Sequence, residues 1–322
     1  MSLYDKIAKN QTCVNLVRKT REVRKERNKK RRVKGNYTFI DRKKDSDRLC
    51  IILAGYKQFL WEDVFGRIEK YAPKDIDICI VSSGLYSDEL AKIAEKNNWS
   101  YLSVKQNKVS LVQNIAINLF EKASMIYKLD EDIFVTKHFF EQLLRTYNET
   151  EKNSHYRVGF VAPLMPISGY AHVRVLEKTG LLETYENKFG RAQHNWDTTG
   201  KVVVNPEIAK FLWGETEAKL RDIDALDEEF SKQDFSYSVC SIRFSIGAIL
   251  FSRQLWEDMG RFEVGIGNNM GRDEIQLCNY LLADSRAIIV SENTIAGHFS
   301  FGKQTPEMKK YYEQHREIFK VK

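Results

Sequence analysis

The stretch MIYKLDEDIF, residues 125–134, joins a short apolar run to three consecutive carboxylates. The run MIYKL has the length of a buried strand, and Asp130, Glu131 and Asp132 follow it directly. Like charges at the end of a core strand repel one another and are costly to desolvate, and a bound cation would offset that cost. Oxygen ligands of this kind suit Mg²⁺ or Mn²⁺, which also bind phosphate oxygens. The stretch predicts a metal site at a strand end, and a solvated acidic turn is the simpler alternative.

Strand-like and helix-like segments alternate on both sides of this stretch. Apolar runs predict strands at 49–54, 76–81, 101–104, 158–162, 243–251 and 287–290, and the segment 294–301 closes the core. Helical spacing is found at 59–71, 87–97, 109–120, 171–179, 206–213, 215–230, 253–259 and 273–282, and a helix start is predicted at Thr305. The alternation predicts an α/β fold with a mostly parallel central sheet flanked by helices. Ligands of such sheets bind beyond the carboxyl ends of the strands.

Composition indicates an ordinary globular protein of 322 residues, with 43% hydrophobic and 30% charged residues. The five cysteines are scattered without C-x-x-C spacing, which argues against a disulfide framework and a zinc site and favours a reducing compartment. No apolar run approaches the ~18–20 residues that span a bilayer. Charged residues at positions 5, 6 and 9 stand where a signal peptide would be apolar. We therefore expect a cytoplasmic protein, or one bound to the cytosolic face of a membrane.

The positive charge is concentrated at the N-terminus. Residues 1–34 hold 13 Lys/Arg and 3 Asp/Glu; since the whole chain carries +7, the other 288 residues carry −3. Leu3, Ile7, Val14 and Val17 are spaced for one face of a helix. The segment is either a solvated helical arm or a docking element for an anionic membrane or an acidic glycolipid. Nucleic acid is a less favoured partner, because no aromatic platform accompanies the charge.

Two further groups of residues carry possible chemistry. Asp273 and Glu274 follow the glycine-rich loop 263–272 at a predicted helix start, where acids favour the helix dipole and could also act as a general base. His298 lies between aromatic residues, as many core histidines do, and it could instead complete a metal site with Asp132. Lys303 follows shortly after and could neutralise a leaving diphosphate.

Taken in order, these segments resemble the GT-A glycosyltransferases, and they are most similar to the large family of inverting bacterial enzymes. The likeness runs from Arg48 to about Lys303. It is carried by Ala54-Gly55-Tyr56, Val81-Ser82-Ser83-Gly84, Val112-Gln113-Asn114-Ile115-Ala116, the KLDED segment, Ser245-Ile246-Gly247-Ala248, Trp256–Phe262, Arg272-Asp273-Glu274 and His298.

The resemblance implies a Rossmann-like sheet and a role for each matching residue. Asp132 and His298 would bind Mn²⁺ or Mg²⁺, with Asp130 at the metal, its bound water or the ribose. Glu274 would be the catalytic base, with Asp273 beside it. The donor would be held by Ala54, Gly55, Tyr56, Ser82, Ser83, Asn114, Asp130, Glu131 and Lys303, the base pocket being formed by Tyr56 and the Ser82-Ser83 turn.

The chain departs from the family pattern at two places. Ser82 stands where the family usually has an aspartate that reads uracil, which weakens the expectation of a UDP-sugar donor. The acidic pair is Asp-Glu rather than Glu-Asp, so either residue could be the base.

The sequence thus predicts a metal-dependent enzyme that transfers a sugar from a nucleotide diphosphate to a glycan or glycolipid, with inversion, in cell-surface polysaccharide assembly. The expected divisions are a basic arm (1–35), a catalytic domain (36–304) and a C-terminal helix (305–322). Within the catalytic domain, 36–162 is the donor half and 163–304 the acceptor half, with a helical insertion at about 167–239. One alternative is a nucleotidyltransferase, which would need a more basic loop than LAGYKQF, where Lys57 is the one cation. The other is a non-catalytic carbohydrate-binding protein.

Overall fold

The computed structural model describes residues 11–195 and 200–321, so Leu3, Ile7 and Trp196 lie outside the described residues. Within them, nine strands form one sheet in the order β1-β4-β3-β2-β5-β9-β7-β10-β8. These strands are β1 (Tyr37–Ile40), β2 (Arg48–Leu53), β3 (Asp77–Ser83), β4 (Ser100–Val104), β5 (Met125–Asp130), β7 (Arg157–Leu164), β8 (Tyr237–Cys240), β9 (Ala248–Ser252) and β10 (Arg286–Ile295). A second, two-stranded sheet pairs β6 (Ile133–Phe134) with β11 (Gly297–His298).

The sheet is mostly parallel, as the sequence predicts. Strands β4, β3, β2 and β5 run parallel to one another, and β7 runs parallel to β10. Strand β9 is antiparallel to both β5 and β7, which gives those two strands the same direction. Six of the nine strands therefore point one way, with β1, β8 and β9 opposed. The carboxyl ends of the six meet at one edge of the sheet.

The described residues also form helices, all of which except the first contain buried residues. They are α1 (Gln11–Arg31), α2 (Trp61–Tyr71), α3 (Asp88–Lys96), α4 (Val109–Leu119), α5 (Phe139–Asn153), α6 (Ala171–Thr179), α7 (Leu182–Phe189), α8 (Lys201–Val204), α9 (Pro206–Leu212), α10 (Ile223–Ser231), α11 (Arg253–Asp258), α12 (Asp273–Ala283) and α13 (Thr305–Gln314). Short 3₁₀ turns lie at Gln58–Leu60, Ala218–Leu220 and Arg316–Ile318. Helix α4 packs against β2, β3 and β4, and α5 against β7, β9 and β10.

Several elements differ from the sequence prediction. The sequence prediction omits helix α5, although Phe139, Phe140 and Leu143 are buried at helical spacing. The strand expected at 243–251 begins only at Ala248, because 245–247 form a turn over Asp130, whose N–H donates to the Gly247 carbonyl at 2.8 Å. The helix expected at 215–230 begins at Ile223, where the carboxylate of Asp222 caps it. Edge strands β1 and β8 are only four residues long, and the sequence prediction omits both.

The basic helix α1 has no buried residue and is attached to the body at its C-terminal end. Lys29 forms an ion pair with Glu257 at 3.0 Å, and the Arg32 guanidinium donates to the carbonyls of Gly260 and Arg261 at 2.8 and 3.0 Å. The rest of the helix projects its basic side chains into solvent. No helix in the described ranges is both long and apolar enough to cross a bilayer.

Candidate active site

A cleft of about 460 Å³ opens beyond the carboxyl ends of β2, β3 and β5. The loop after β2, the acidic segment after β5, the turn before β9, the start of α12 and the segment after β11 all contribute side chains to it. Most of the predicted site residues line this cleft: Ala54, Tyr56, Ser83, Asp130, Glu131, Asp132, Asp273, Glu274 and His298. The topology therefore brings together groups that are up to 244 positions apart in sequence, from Ala54 to His298.

Asp132 is a buried, ionised carboxylate in the cleft. Its side chain is 4% exposed, and it forms an ion pair with the ammonium of Lys57. The imidazole of His298 lies on the other side, with Nε2 3.5 Å from Oδ2 of Asp132. Burial by itself would raise the pKa of Asp132, but the charges of His298 and Lys57 and hydrogen bonds from both outweigh it and hold the pKa well below its usual range. Asp132 is therefore a buried carboxylate kept ionised by its neighbours.

His298 is oriented as a metal-binding histidine would be. Its Nδ1 lies 2.8 Å from the carbonyl oxygen of Ile167, which can only accept, so Nδ1 carries the hydrogen. Nε2 then faces Asp132: it donates to the carboxylate when the ring is protonated, and it offers a lone pair to a cation when the ring is neutral. A backbone carbonyl that fixes the tautomer in this way is the usual outer contact of a histidine ligand. Asp132 and His298 therefore fit a divalent cation as two protein ligands, with substrate oxygens and water left to complete the coordination.

Asp130 does not join these two residues in a metal cluster. Its carboxylate forms an ion pair at 2.6 Å with the buried ammonium of Lys128, two positions earlier on β5. Burial, together with the negative charge of Asp132, raises the pKa of Asp130 in spite of Lys128. Among residues 11–195 and 200–321 no group of three His, Cys, Asp or Glu side chains is placed to hold a metal. Asp130 thus pairs with Lys128 and stands apart from the Asp132–His298 pair, and its role as a metal ligand stays a prediction.

Glu131 braces the loop after β2 rather than facing a ligand. Its two carboxylate oxygens accept hydrogen bonds from the N–H groups of Gly55 and Tyr56, at 2.9 and 2.8 Å, and from the indole of Trp61 at 2.6 Å. The predicted donor contact by Glu131 is therefore indirect. The carboxylate fixes the backbone of Gly55 and Tyr56 and, through that loop, the position of Lys57.

Ser83, and not Ser82, lines the cleft at the end of β3. The hydroxyl of Ser82 is fully buried and is bonded to the carbonyl of Leu85 and the hydroxyl of Tyr101, both at 2.8 Å. Side chains alternate across a strand, which turns Ser82 away when Ser83 faces the cleft. The exposed ring of Tyr56 stands beside Ser83, and its hydroxyl donates to the Ser83 carbonyl at 3.3 Å. Tyr56 and Ser83 form the candidate base pocket. The predicted contact of the Ser82 side chain with the donor does not match its place in the structure, because that side chain is turned away from the cleft.

Asn114 is also a correction, because it is a fully buried structural residue. Its Nδ2 donates to the carbonyls of Arg32 and Phe262 at 3.0 and 2.8 Å. Its Oδ1 accepts from the Trp256 indole at 2.9 Å and the Phe262 N–H at 3.0 Å. All four hydrogen bonds of the amide are used within the protein, which leaves nothing for a donor substrate. Asn114 instead joins the end of α1 to the loop after α11.

The acidic pair at the start of α12 is held at the opposite rim of the cleft. Asp273 accepts from the amide of Gln113 at 2.6 Å, and Glu274 forms an ion pair with Arg243 at 2.5 Å. Both carboxylates line the cleft, so the structure keeps both as candidates for the base. Lys303 is exposed and follows Gly302, which lines the cleft.

Sequence reasoning missed the two lysines that neutralise the acidic segment. Lys128 lies within the predicted strand, where a lysine with 3% exposure is unusual and signals a carboxylate partner. In the sequence Lys57 is one charge in a loop, and its contact with Asp132 depends on how that loop folds.

The fold and the cleft define an α/β protein with an ionised carboxylate, a histidine that faces it and a flanking acidic pair at the carboxyl ends of parallel strands. No family model matches the sequence, and no curated protein matches it either.

Several solved structures have similar chain traces. The mannosyltransferase PcManGT from Pyrobaculum calidifontis in complex with GDP-Man and Mn²⁺ has a TM-score of 0.44 and 13% identity over 85% of this chain and 63% of its own. TarS 1–349 of S. aureus gives 0.44 and 12% over 84% and 64%. Glucosyl-3-phosphoglycerate synthase from Mycobacterium tuberculosis, in complex with Mn²⁺ and UDP, gives 0.40 and 14% over 82% and 76%. This chain thus spans less than two thirds of the first two, and likeness at this level does not decide an activity.

Proposed function

We propose that this protein is a metal-dependent GT-A glycosyltransferase that moves a sugar from a nucleotide diphosphate donor to a glycan or glycolipid acceptor, with inversion. The observation that carries the proposal is the pairing of Asp132 with His298 Nε2 at 3.5 Å in a cleft at the carboxyl ends of parallel strands. Without a cation the two groups form an ion pair. The same placement, with Nδ1 held by a backbone carbonyl and Nε2 facing a carboxylate, suits a divalent cation bound between them.

In this proposal Asp132 and His298 would hold Mn²⁺ or Mg²⁺, which would supply positive charge for the departing diphosphate. Tyr56 and Ser83 receive the nucleoside, and a uridine nucleotide is the favoured one. Lys57, which now pairs with Asp132, would be available to a phosphate oxygen when a cation pairs with that carboxylate, and Lys303 lies near enough in sequence to the cleft to add a second positive charge. Positive groups that face the leaving oxygens stabilise the charge that develops there.

The base acts from the rim opposite these donor residues. Glu274 or Asp273 takes the proton of the acceptor hydroxyl as that oxygen attacks the anomeric carbon. Arg243 orients Glu274, and the Gln113 amide orients Asp273, so each carboxylate has a fixed direction. Attack from the side opposite to the diphosphate gives inversion.

The proposal also covers organisation and place in the cell. Residues 36–162 would form the donor half and 163–304 the acceptor half, with the insertion at 167–239 contributing to acceptor binding. The protein would be cytoplasmic and would associate with an anionic membrane surface through residues 1–34, where it would help to assemble a cell-surface polysaccharide. The projecting basic side chains of α1 support that partner.

A thermal-shift and donor-hydrolysis panel of UDP-, GDP- and CMP-sugars with and without Mn²⁺ tests the proposal. We expect one nucleotide class to stabilise the protein only when Mn²⁺ is present. Asp132→Asn should abolish both the stabilisation and the turnover. The matched control is Asp45→Asn, which removes an exposed carboxylate paired with Lys122 and should change neither.

Three outcomes would contradict the proposal. Full turnover by Asp132→Asn would remove the metal assignment. Sugar binding without any nucleotide or metal dependence would favour a carbohydrate-binding protein, and release of pyrophosphate from a nucleoside triphosphate would favour a nucleotidyltransferase. Separate Asp273→Asn and Glu274→Gln variants identify the base, since only the variant that lacks it should lose kcat while it retains donor binding.

A further inference from the structure

A second cavity, of about 300 Å³, lies in the helical insertion beside the cleft. It is lined by His172, Tyr185, Arg191, Gln193, Asn195, Gly200, Lys201 and Val202. Its volume is at the lower end of the range of small-ligand sites. Among the described residues its lining includes two cations and no carboxylate, although the body of the protein is mildly acidic.

Two buried polar side chains line this cavity, each with a polar atom to which no described residue is hydrogen-bonded. His172 is 2% exposed, and its Nδ1 donates to the Ser168 carbonyl at 2.7 Å, so its Nε2 is a hydrogen-bond acceptor. Tyr185 is 2% exposed and packs its ring on Phe189 and Phe211. Among the described residues neither His172 Nε2 nor the Tyr185 hydroxyl has a hydrogen-bond partner. Buried polar groups are normally bonded, so both atoms are placed for a ligand that brings hydroxyl groups.

The cations lie at the rim of the same cavity. The ammonium of Lys201 donates to the Phe189 carbonyl at 2.9 Å, which holds it in place and leaves two of its three hydrogens for a ligand. Arg191 forms no ion pair with any described residue. The nearby Glu186 is occupied, since its carboxylate accepts from the Ala192 N–H at 3.0 Å. The cavity thus combines hydrogen-bonding groups for hydroxyls with an unneutralised positive rim.

Adjacent residues connect the cavity with the cleft. The Ile167 carbonyl fixes His298 in the cleft, and the next carbonyl, that of Ser168, fixes His172 in the cavity. Consecutive Cα atoms are about 3.8 Å apart, so the two carbonyls that orient the histidines belong to adjacent residues of one backbone segment. Gln304 makes a second connection, because its amide bonds both Phe301, at the cleft, and Val202, at the cavity.

We infer that this second cavity binds a negatively charged sugar unit of the acceptor, with its phosphate or carboxylate at Arg191 and Lys201 and its hydroxyls at Tyr185 and His172. The inference rests on the proposed function, since it assigns the acceptor of the same enzyme. It narrows the acceptor from any glycan to an acidic or phosphorylated one.

Calorimetric titration of the full chain with glucose 6-phosphate, glucuronate, glucose and inorganic phosphate tests the inference. We expect at least one charged sugar to bind at least tenfold more tightly than glucose, and the tighter of the two identifies the anionic group. Arg191→Gln should weaken the charged sugars at least fivefold. Tyr185→Phe should weaken the sugars and leave inorganic phosphate unchanged. Lys122→Gln, which removes an exposed lysine elsewhere, should have no effect.

Equal binding of glucose and the charged sugars would overturn the inference, as would insensitivity of the charged sugars to Arg191→Gln. Inorganic phosphate that binds as tightly as glucose 6-phosphate, with Tyr185→Phe having no effect, would show an anion site without sugar recognition. Mn²⁺-dependent binding of a nucleotide sugar, measured on the same Arg191→Gln protein, should equal that of the wild type. If nucleotide sugars fail to bind while the charged sugars do, the proposed function falls and the cavity assignment stands; the reverse result refutes the cavity alone.

Discussion

The ion pair between Lys57 and Asp132 yields the most informative prediction. The side chain of Asp132 is 4% exposed and that of Lys57 is 24% exposed, so the pair is closer to a buried ion pair than to an exposed one. Removing one partner of a buried pair costs roughly 3–5 kcal/mol, whereas an exposed pair is worth about 0–1 kcal/mol. Because the lysine end reaches solvent, we expect Lys57→Met to lower the free energy of unfolding of the metal-free protein by about 2–3 kcal/mol.

Urea denaturation with and without Mn²⁺ measures this effect. In the metal-free protein the variant leaves Asp132 without its lysine, and a bound cation should supply the missing charge. We therefore expect Mn²⁺ to stabilise Lys57→Met by more than it stabilises the wild type. In the double variant with Asp132→Asn the buried charge is gone, so the loss should be smaller than the sum of the two single losses.

Lys122→Met is the matched control, because Lys122 pairs with Asp45 where both side chains are exposed. It should change the free energy of unfolding by less than about 0.5 kcal/mol. A loss in Lys57→Met no larger than in this control would refute the argument that Lys57 compensates a buried carboxylate. Equal Mn²⁺ stabilisation of the variant and the wild type would refute the argument that lysine and cation serve the same charge.

Three further predictions concern buried polar groups. Asn114→Leu should lower the free energy of unfolding by roughly 3 kcal/mol or more, because the Trp256 indole and the Phe262 N–H lose their acceptor. Urea denaturation would measure the loss. Normal stability together with lost nucleotide affinity would contradict the structural role of Asn114. Glu131→Gln should cost about 2 kcal/mol by the same measurement, because the new amide replaces an oxygen that now accepts from N–H donors. Burial lowers the pKa of His172 to about 4, against the ordinary value near 6.5. Between pH 6.5 and 4 the unfolded chain takes up a proton that the native protein refuses, so stability falls as the pH drops through this window, by about 3 kcal/mol in total. His172→Asn should lose less stability than the wild type between pH 7 and 4, and parallel curves would contradict the assignment.

Local pattern was sufficient for much of this protein. Apolar runs such as 49–54 and 125–129 are buried strands because burial removes their apolar side chains from water. The alternation of such runs with helices predicted a mostly parallel sheet. The three carboxylates at the end of β5 lie at the sheet edge where ligands bind, because the carboxyl end of a parallel strand is at that edge. The sequence also placed the positive charge in an N-terminal helix, since a run of basic residues cannot be buried.

The tertiary structure decided what each polar side chain does. Asn114 and Glu131 stand in the segments that resemble the family motifs, yet Asn114 is saturated by Phe262 and Trp256, and Glu131 by the loop after β2. Lys57 and Lys128 became part of the site only when the fold placed them against Asp132 and Asp130. The physical reason is the same in each case. Burial and backbone preference act over a few residues and are written locally, whereas a hydrogen bond or ion pair depends on which distant group arrives within about 3 Å, and only the folded chain determines that.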